Sequence, residues 1–366
     1  MTYKAFTPQL AGVTLPRRAE EPSFDKYAFL RDLWDESGRP RLKAAKHYFR
    51  NLKQNDLPFL IEGFKAWKDY HEYLLIKGEN RVNGEKMFLA VKCSKRGNDV
   101  FSSRLDKRLG FLKRLKGIEL FHPNDFKPNR IVKTNLLWVT LTYNPICSLN
   151  AAWLSCMDEW NLFITNLRNK YGKIDVLRFI EAFPNKKGSA YGYPHFHIVL
   201  LFKEAKFTVF PHMEKRKDGK LGLIYRINEK HEVARQGNWH SFVDIKALSS
   251  GKALGSYVRK YCRKTHSGSS KSALVTQSLL WLYRKQTYSM SAGFRKRLLD
   301  LISSMQGSKG REAQETLDGD ILNDWIWVFH GIRSSEECGI DSGVWFQSLE
   351  EEKFNKILDE RGYKQR

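Results

Sequence analysis

The sequence has few cysteines and no arrangement of them that predicts cross-linking. Only five occur in 366 residues, and no two form a Cys-x-x-Cys pair. Their odd number and scattered positions argue against a disulfide framework and against a cysteine-ligated zinc site. The sequence also lacks any apolar run near the roughly 20 residues that a membrane-spanning helix needs. We therefore expect a soluble, cytoplasmic protein with no membrane-spanning segment.

A nucleotide-binding loop of the Gly-x-x-x-x-Gly-Lys-[Ser/Thr] type is also missing. Backbone amides of such a loop cradle the phosphates of ATP or GTP. We therefore expect no built-in helicase of this type.

Acidic residues are in short supply. The sequence contains 40 Asp and Glu against 63 Lys and Arg, which gives a formal net charge of +23. This surplus favours a polyanionic partner, with nucleic acid as the first candidate and an anionic membrane as the second. A generally basic proteome is the alternative explanation. Charge sets affinity for phosphate backbones and does not specify a reaction.

Apolar residues make up 42% of the chain and aromatic residues 13%, so most of the chain should fold. Strand-like and helical patterns alternate without a regular βαβ series, which favours an α+β fold with a central antiparallel sheet and flanking helices. We predict three parts. They are a mainly helical, basic N-terminal region (1–130), a central domain of mixed strands and helices (131–305) and an acidic, aromatic C-terminal extension (306–366).

The spacing of apolar residues predicts individual elements. In the first region it predicts helical structure from Phe24 to about Lys77, a strand at Met87–Cys93 and a basic helix at Arg104–Gly117. Further along it predicts strands at 136–142, 175–181, 195–202 and 241–245, helices at 151–171 and 255–264, and a charged loop at 211–221.

Two histidines, His195 and His197, lie in the predicted strand that ends at Phe202. Residues two apart in a strand share a face, so both imidazoles point the same way. Two imidazoles on one sheet face can bind a metal ion. A His-x-His pair by itself is also often structural.

Glu181 ends the preceding predicted strand and offers a third ligand. If the two strands form a hairpin, its carboxylate lies opposite the histidines on the same face. Two histidines and one carboxylate leave positions for water and a phosphate oxygen, which suits Mg²⁺ or Mn²⁺ acting on a phosphodiester. Pairing of Glu181 with a Lys or Arg is the alternative, and Asp244 is the next candidate for the carboxylate ligand.

A basic helix carries two tyrosines and two lysines on one face. Tyr257, Lys260, Tyr261 and Lys264 recur at positions i, i+3, i+4 and i+7. Lysines resist burial without a partner, so this face is unusual for a core and suits a phosphate. A phenolate would attack phosphorus while the ammonium groups stabilise anionic oxygens. The alternative is an ordinary basic helix on a DNA backbone, with tyrosines that only pack.

Three motifs resemble those of HUH-superfamily rolling-circle replication initiators, in the family's order, and the likeness covers about residues 134–265. Trp138–Thr142 is similar to the first motif, and Pro194–Leu200 to the second, with two histidines around a bulky residue. Tyr257–Lys264 resembles the third, in the two-tyrosine form of some phage and archaeal initiators. The sequence departs from the family in a longer Glu181-to-His195 loop and in Cys262, where an aliphatic residue is more usual.

The resemblance implies that His195, His197 and Glu181 bind the divalent cation and that Tyr261 is the shared nucleophile. Tyr257 would be the extra nucleophile of the two-tyrosine class, with Lys264 at the motif's lysine position. It further implies an HUH-like nuclease domain over residues 131–305, with DNA binding as the expected role of residues 1–130. The expected reaction is the nicking and rejoining of single-stranded origin DNA through a 5′-phosphotyrosine bond, with help from host helicase and polymerase.

Two further segments, Lys92–Asp99 and Leu279–Ser289, resemble archaeal plasmid and virus initiators, and the sequence predicts no chemical role for either. Three other functions stay open. They are an HUH transposase or conjugative relaxase with the same chemistry, a non-enzymatic DNA-binding protein, and a metal-dependent hydrolase of small phosphates.

Overall fold

The computed structural model describes residues 26–35, 40–115, 120–184, 188–215, 219–266, 270–306 and 324–359. Its helices are α1 (Lys26–Asp32), α2 (Leu42–Tyr48), α3 (Leu57–Asp69), α4 (Asp99–Arg108), α5 (Leu149–Tyr171), α6 (Lys230–Gly237), α7 (Gly251–His266), α8 (Lys271–Leu282), α9 (Phe294–Gln306), α10 (Ser335–Cys338) and α11 (Glu351–Asp359). Its strands are β1 (Glu72–Asn80), β2 (Lys86–Lys92), β3 (Lys133–Thr134), β4 (Leu136–Leu141), β5 (Ile174–Ala182), β6 (Pro194–Phe202), β7 (Phe207–Lys215), β8 (Leu221–Ile227), β9 (Val243–Ala247), β10 (Tyr288–Met290), β11 (Trp325–Ser334) and β12 (Phe346–Leu349).

A five-stranded antiparallel sheet forms the centre of the fold, in the order β10-β5-β6-β4-β9. Every residue of β5 and of β6 is buried, because helices cover both faces of the sheet. This confirms the predicted α+β class with an antiparallel sheet. The predicted strands and helices at 175–181, 195–202, 151–171 and 255–264 are confirmed within a few residues at each end.

Helix α5 packs on one face of this sheet. It begins at the cap Ser148, whose hydroxyl accepts a hydrogen bond from the Ala151 amide, and it ends at Gly172 with a φ of 76°. Trp153 is fully buried, and its indole N–H donates to the Gly192 carbonyl at 2.9 Å. This contact ties α5 to the chain that enters β6.

Helices α4 and α7 contribute to the core on the opposite face. Leu105 of α4 and Val258 of α7 are buried in one apolar cluster with Leu177 and Phe179 of β5. Side chains two apart along β5 share this face, so Glu181 lies on the same side as α7. The sheet therefore presents its candidate ligands toward the tyrosine helix.

A second antiparallel sheet, in the order β11-β1-β2-β12, combines two strands of the N-terminal region with two strands of the C-terminal segment. The prediction of helix up to Lys77 is wrong from Glu72 onward, because those residues form β1. Tyr73 and Leu75 are buried in a period of two, which a helical reading of the local sequence overlooks. The partner strand β11 lies far away in sequence, so the C-terminal segment adds strands to the N-terminal region.

Two smaller predictions are corrected by the structure. The predicted charged loop at 211–221 is shorter than expected, because β7 extends to Lys215 and β8 begins at Leu221, and residues 216–218 lie outside the described ranges. The predicted helix at Arg104–Gly117 starts earlier, at Asp99, because the Asn98 side chain caps it by accepting from the Phe101 amide. That helix ends at Arg108, and a 3-10 helix follows from Gly110 to Leu115.

No helix in the described ranges combines the length and the apolar character needed to cross a bilayer.

Candidate metal centre

Glu181, His195 and His197 form a buried cluster on the central sheet. Their candidate ligand atoms all lie within 4.8 Å of one another. The exposed fractions are 7% for Glu181, 8% for His195 and 4% for His197. Buried ionisable groups are held by partners or by metal ions, so a converging set of this kind is a candidate ligand set.

The β5–β6 hairpin creates this arrangement. Its register pairs Glu181 directly with His195, and Phe179 with His197. Gly192 donates a backbone hydrogen bond to the Phe183 carbonyl at 3.0 Å and adopts a φ of 84°, which favours glycine. The longer loop therefore closes without disturbing the register, and all three predicted ligands come together.

The contact between Glu181 and His197 is compatible with a shared cation. His197 Nε2 and Glu181 Oε1 are 2.9 Å apart. A neutral imidazole nitrogen and a carboxylate oxygen approach so closely only with a proton or a cation between them. Two adjacent ligands of an octahedral Mg²⁺, each about 2.1 Å from the metal, lie about 3 Å apart. The donor set thus suits an oxygen- and nitrogen-coordinated divalent cation.

Thr140 lies on the other side of the His197 ring. It pairs with His197 across β4 and β6, and its Oγ1 is 3.5 Å from His197 Nδ1. Trp138 Nε1 donates to the same hydroxyl at 3.2 Å. Metal-binding histidines commonly use their second nitrogen in such a contact, which fixes the ring orientation. The strand that carries Trp138 and Thr140 is evident in the sequence, but this role of the two side chains is not.

Trp138 also forms an aromatic platform for both tyrosines of α7. Its ring stacks on Tyr257, with centroids 4.8 Å apart, and on Tyr261, with centroids 5.4 Å apart. Tyr261 in turn stacks on His197 with centroids 3.7 Å apart. The structure therefore places the predicted nucleophiles close to the predicted ligands through Trp138, a contact that its strand and its motif do not predict.

The two tyrosines differ in environment. Tyr261 is 7% exposed, while Tyr257 is only partly buried. Burial raises the pKa of the Tyr261 phenol, and the nearby charge of Glu181 and the phenol of Tyr257 raise it further. The Tyr261 hydroxyl is therefore protonated at neutral pH and needs a proton acceptor in order to act as a nucleophile.

The remaining predicted residues have different outcomes. Lys260 and Lys264 belong to α7, but their side chains lie outside the described part of the structure. Asp244, the alternative candidate for the carboxylate ligand, lies in β9 and pairs with Thr140 of β4. It forms ion pairs with Arg226 and with Lys246, the latter at 3.5 Å. These cations neutralise its carboxylate, and Glu181 completes the cluster instead.

Comparisons with known proteins found no matching family model, no similar curated protein and no similar solved structure.

Proposed function

We propose that this protein is a metal-dependent DNA-nicking enzyme that transfers one DNA strand to a tyrosine, as HUH rolling-circle replication initiators do. The observation that carries the proposal is the stack of Tyr261 on His197, with ring centroids 3.7 Å apart, beside the Glu181–His195–His197 cluster. A nucleophile held against a divalent-cation site is the arrangement that phosphoryl transfer requires.

The cation, when bound to Glu181, His195 and His197, would polarise the phosphate and stabilise its developing charge. Tyr261 then attacks phosphorus. A bond forms between the phenolic oxygen and phosphorus, and the bond from phosphorus to the 3′ oxygen breaks. The phenolic proton passes to solvent water, and the departing 3′ oxygen takes a proton from water and becomes a free hydroxyl, which can prime DNA synthesis by a host polymerase.

Tyr257 supports the assignment to an initiator rather than to a simple nickase. It shares the Trp138 platform with Tyr261, so both rings pack on the same side chain. Rolling-circle replication needs a second strand transfer while the first covalent bond is still held. Two phenols about one helical turn apart allow this without release of the DNA.

Affinity for the substrate would come from the formal net charge of +23. An HUH transposase or relaxase would use the same chemistry, and is distinguished by the DNA ends that the enzyme cuts and joins. A purely DNA-binding protein would have no use for the buried cluster of Glu181, His195 and His197.

A covalent-adduct assay tests the proposal. The protein is incubated with labelled single-stranded candidate origins and Mn²⁺, denatured, and resolved on a gel. We expect a DNA–protein adduct that EDTA abolishes, with the DNA mapped to Tyr261 or Tyr257 by mass spectrometry. Binding without any adduct across the origins of the native replicon would contradict the enzymatic assignment.

A further inference from the structure

A pocket lined by three arginines lies close to the candidate metal centre. It occupies the space between the turn that follows β2, helix α4 and strand β10, and has a volume of about 420 Å³. Its arginines are Arg96, Arg104 and Arg108, and no carboxylate lines it. The wall also carries the hydroxyl-bearing residues Ser94, Thr287, Tyr288 and Ser289.

The charge of this pocket is not neutralised by the protein. Within the described ranges, no ion pair with a carboxylate involves Arg96, Arg104 or Arg108. Arg96 is mostly buried, and this burial lowers its pKa to about 10, which leaves it charged at neutral pH. A desolvated cation without a counter-ion is costly unless an anion binds there.

Arg96 is fixed in place by the second of the two segments that had no predicted role. Its guanidinium donates to Thr287 Oγ1 and, at 2.6 Å, to the Lys285 carbonyl. The next residue, Gly97, has a φ of 82°, and a Cβ there would lie 2.4 Å from Gln277 Oε1. The segments Lys92–Asp99 and Leu279–Ser289 therefore meet, and together they hold an arginine at the pocket wall.

A chain of packed side chains links the pocket wall to the metal centre. The Arg108 guanidinium lies over the Tyr288 ring, 5.7 Å from its centroid, and Tyr288 stacks on Phe179. Phe179 pairs with His197 across the β5–β6 hairpin. Strands β10 and β6 lie on opposite sides of β5, so about two strand spacings, or about 10 Å, separate the pocket strand from the histidines.

We propose that this pocket binds a backbone phosphate of single-stranded DNA a few nucleotides from the scissile phosphate. Guanidinium groups bind phosphate oxygens in a bidentate manner, and the hydroxyl groups supply further donors. Two of the arginines, Arg104 and Arg108, are exposed on α4, so a DNA strand can reach them from solvent. The identity of the strand as DNA substrate rests on the proposed function.

Single-charge variants of α4 test the pocket. Arg104→Gln and Arg108→Gln each remove one exposed charge from the pocket, and Lys107→Gln removes one exposed charge from the same helix outside it. Binding of a fluorescent single-stranded oligonucleotide is measured by anisotropy in EDTA, so that no cleavage occurs. All three variants should keep the thermal midpoint of the parent, because these side chains are exposed.

We expect each arginine variant to weaken binding about tenfold. We also expect each to reduce the log–log salt slope by about 0.7, the value for one single-strand phosphate contact, and Lys107→Gln to change both far less. Equal effects of all three variants would overturn the pocket and leave only diffuse attraction. Binding of inorganic phosphate that is lost in the arginine variants, together with unchanged oligonucleotide binding in those variants, would overturn the assignment to a DNA strand.

The outcome is separable from that of the adduct assay, since binding in EDTA does not depend on nicking. Loss of binding in the arginine variants without any adduct in the parent would support the pocket and count against the proposed function. An adduct in the parent together with unchanged binding in the arginine variants would support the proposed function and count against the pocket.

Discussion

Tyr261 and His197 stack face to face, with ring centroids 3.7 Å apart and planes inclined by 26°. The contact joins helix α7 to strand β6, so the candidate nucleophile is held against a candidate metal ligand by direct packing. It also buries the phenol, which raises its pKa and keeps it protonated until a base accepts the proton.

Replacing both histidines by alanine, His195→Ala/His197→Ala, should abolish adduct formation and leave binding of single-stranded DNA within about twofold. The reason is that both imidazoles belong to one buried ligand cluster, whereas affinity comes mainly from dispersed basic side chains. Adduct yield on a denaturing gel and anisotropy in EDTA measure the two properties. Full adduct formation by the double variant would contradict the metal assignment.

Glu181→Gln should shift the Mn²⁺ titration of adduct formation to higher concentrations, by tenfold or more. The amide keeps the size of the side chain but loses the anionic oxygen that approaches His197 Nε2 to 2.9 Å. The affinity for Mn²⁺, measured directly by calorimetry, should fall in parallel. Asp244→Asn is the comparison, and its Mn²⁺ titration should stay unchanged because Arg226 and Lys246 already neutralise that carboxylate.

The two tyrosines should differ in their effects. Tyr261→Phe should lose most of the initial adduct, because it removes only the attacking hydroxyl and keeps the stacked ring. Tyr257→Phe should keep the first nick and lose the second strand transfer, and the double variant should form no adduct. Tyr171→Phe, on α5, is a matched control. Adduct recovered only on Tyr261 under all conditions would limit Tyr257 to a packing role.

Binding to non-cognate DNA should weaken steeply as salt rises. With a formal net charge of +23, several phosphates should be neutralised, each contributing about 0.7 to the log–log slope on a single strand. Anisotropy titrations across a range of salt concentrations measure the slope. A flat salt dependence would favour a partner other than nucleic acid.

Phe354→Ala should lower the free energy of unfolding by about 3–5 kcal/mol. Phe354 is 1% exposed and packs on Phe88 of β2, with ring centroids 5.0 Å apart. Phe346→Ala, at a β12 position that is 56% exposed, should change stability by no more than about 0.5 kcal/mol. Urea unfolding measures both variants, and similar values for the two would argue against a core between α11 and the second sheet.

The sequence predicted the proximity of Glu181, His195 and His197 because the geometry of this cluster is local. A strand period of two places His195 and His197 on one face, and a hairpin between neighbouring strands brings Glu181 opposite them. The platform formed by Trp138 depends on the packing of α7 over β4, which no local pattern specifies. For that reason its strand was predicted correctly, but its contacts with both tyrosines were not.

The arginine pocket escaped prediction for the same reason. Arg96 and Thr287 are far apart in sequence, and only the folded chain shows that they share a hydrogen bond. Likewise, the apolar residues of β1 fit both the helical and the strand period, so the sequence alone predicted helix there. The strand conformation depends on pairing with β11, which lies far away in the sequence.

The pairing of β1 with β11 also bears on the order in which the protein folds during synthesis. Strands β1 and β2 leave the ribosome early, but both flanking strands, β11 and β12, follow only after the entire central sheet has been made. Until then the β1–β2 hairpin has two open edges, which are sites for mispairing with other chains. The central sheet, whose strands are closer together in sequence, should therefore form first, and the second sheet should close last.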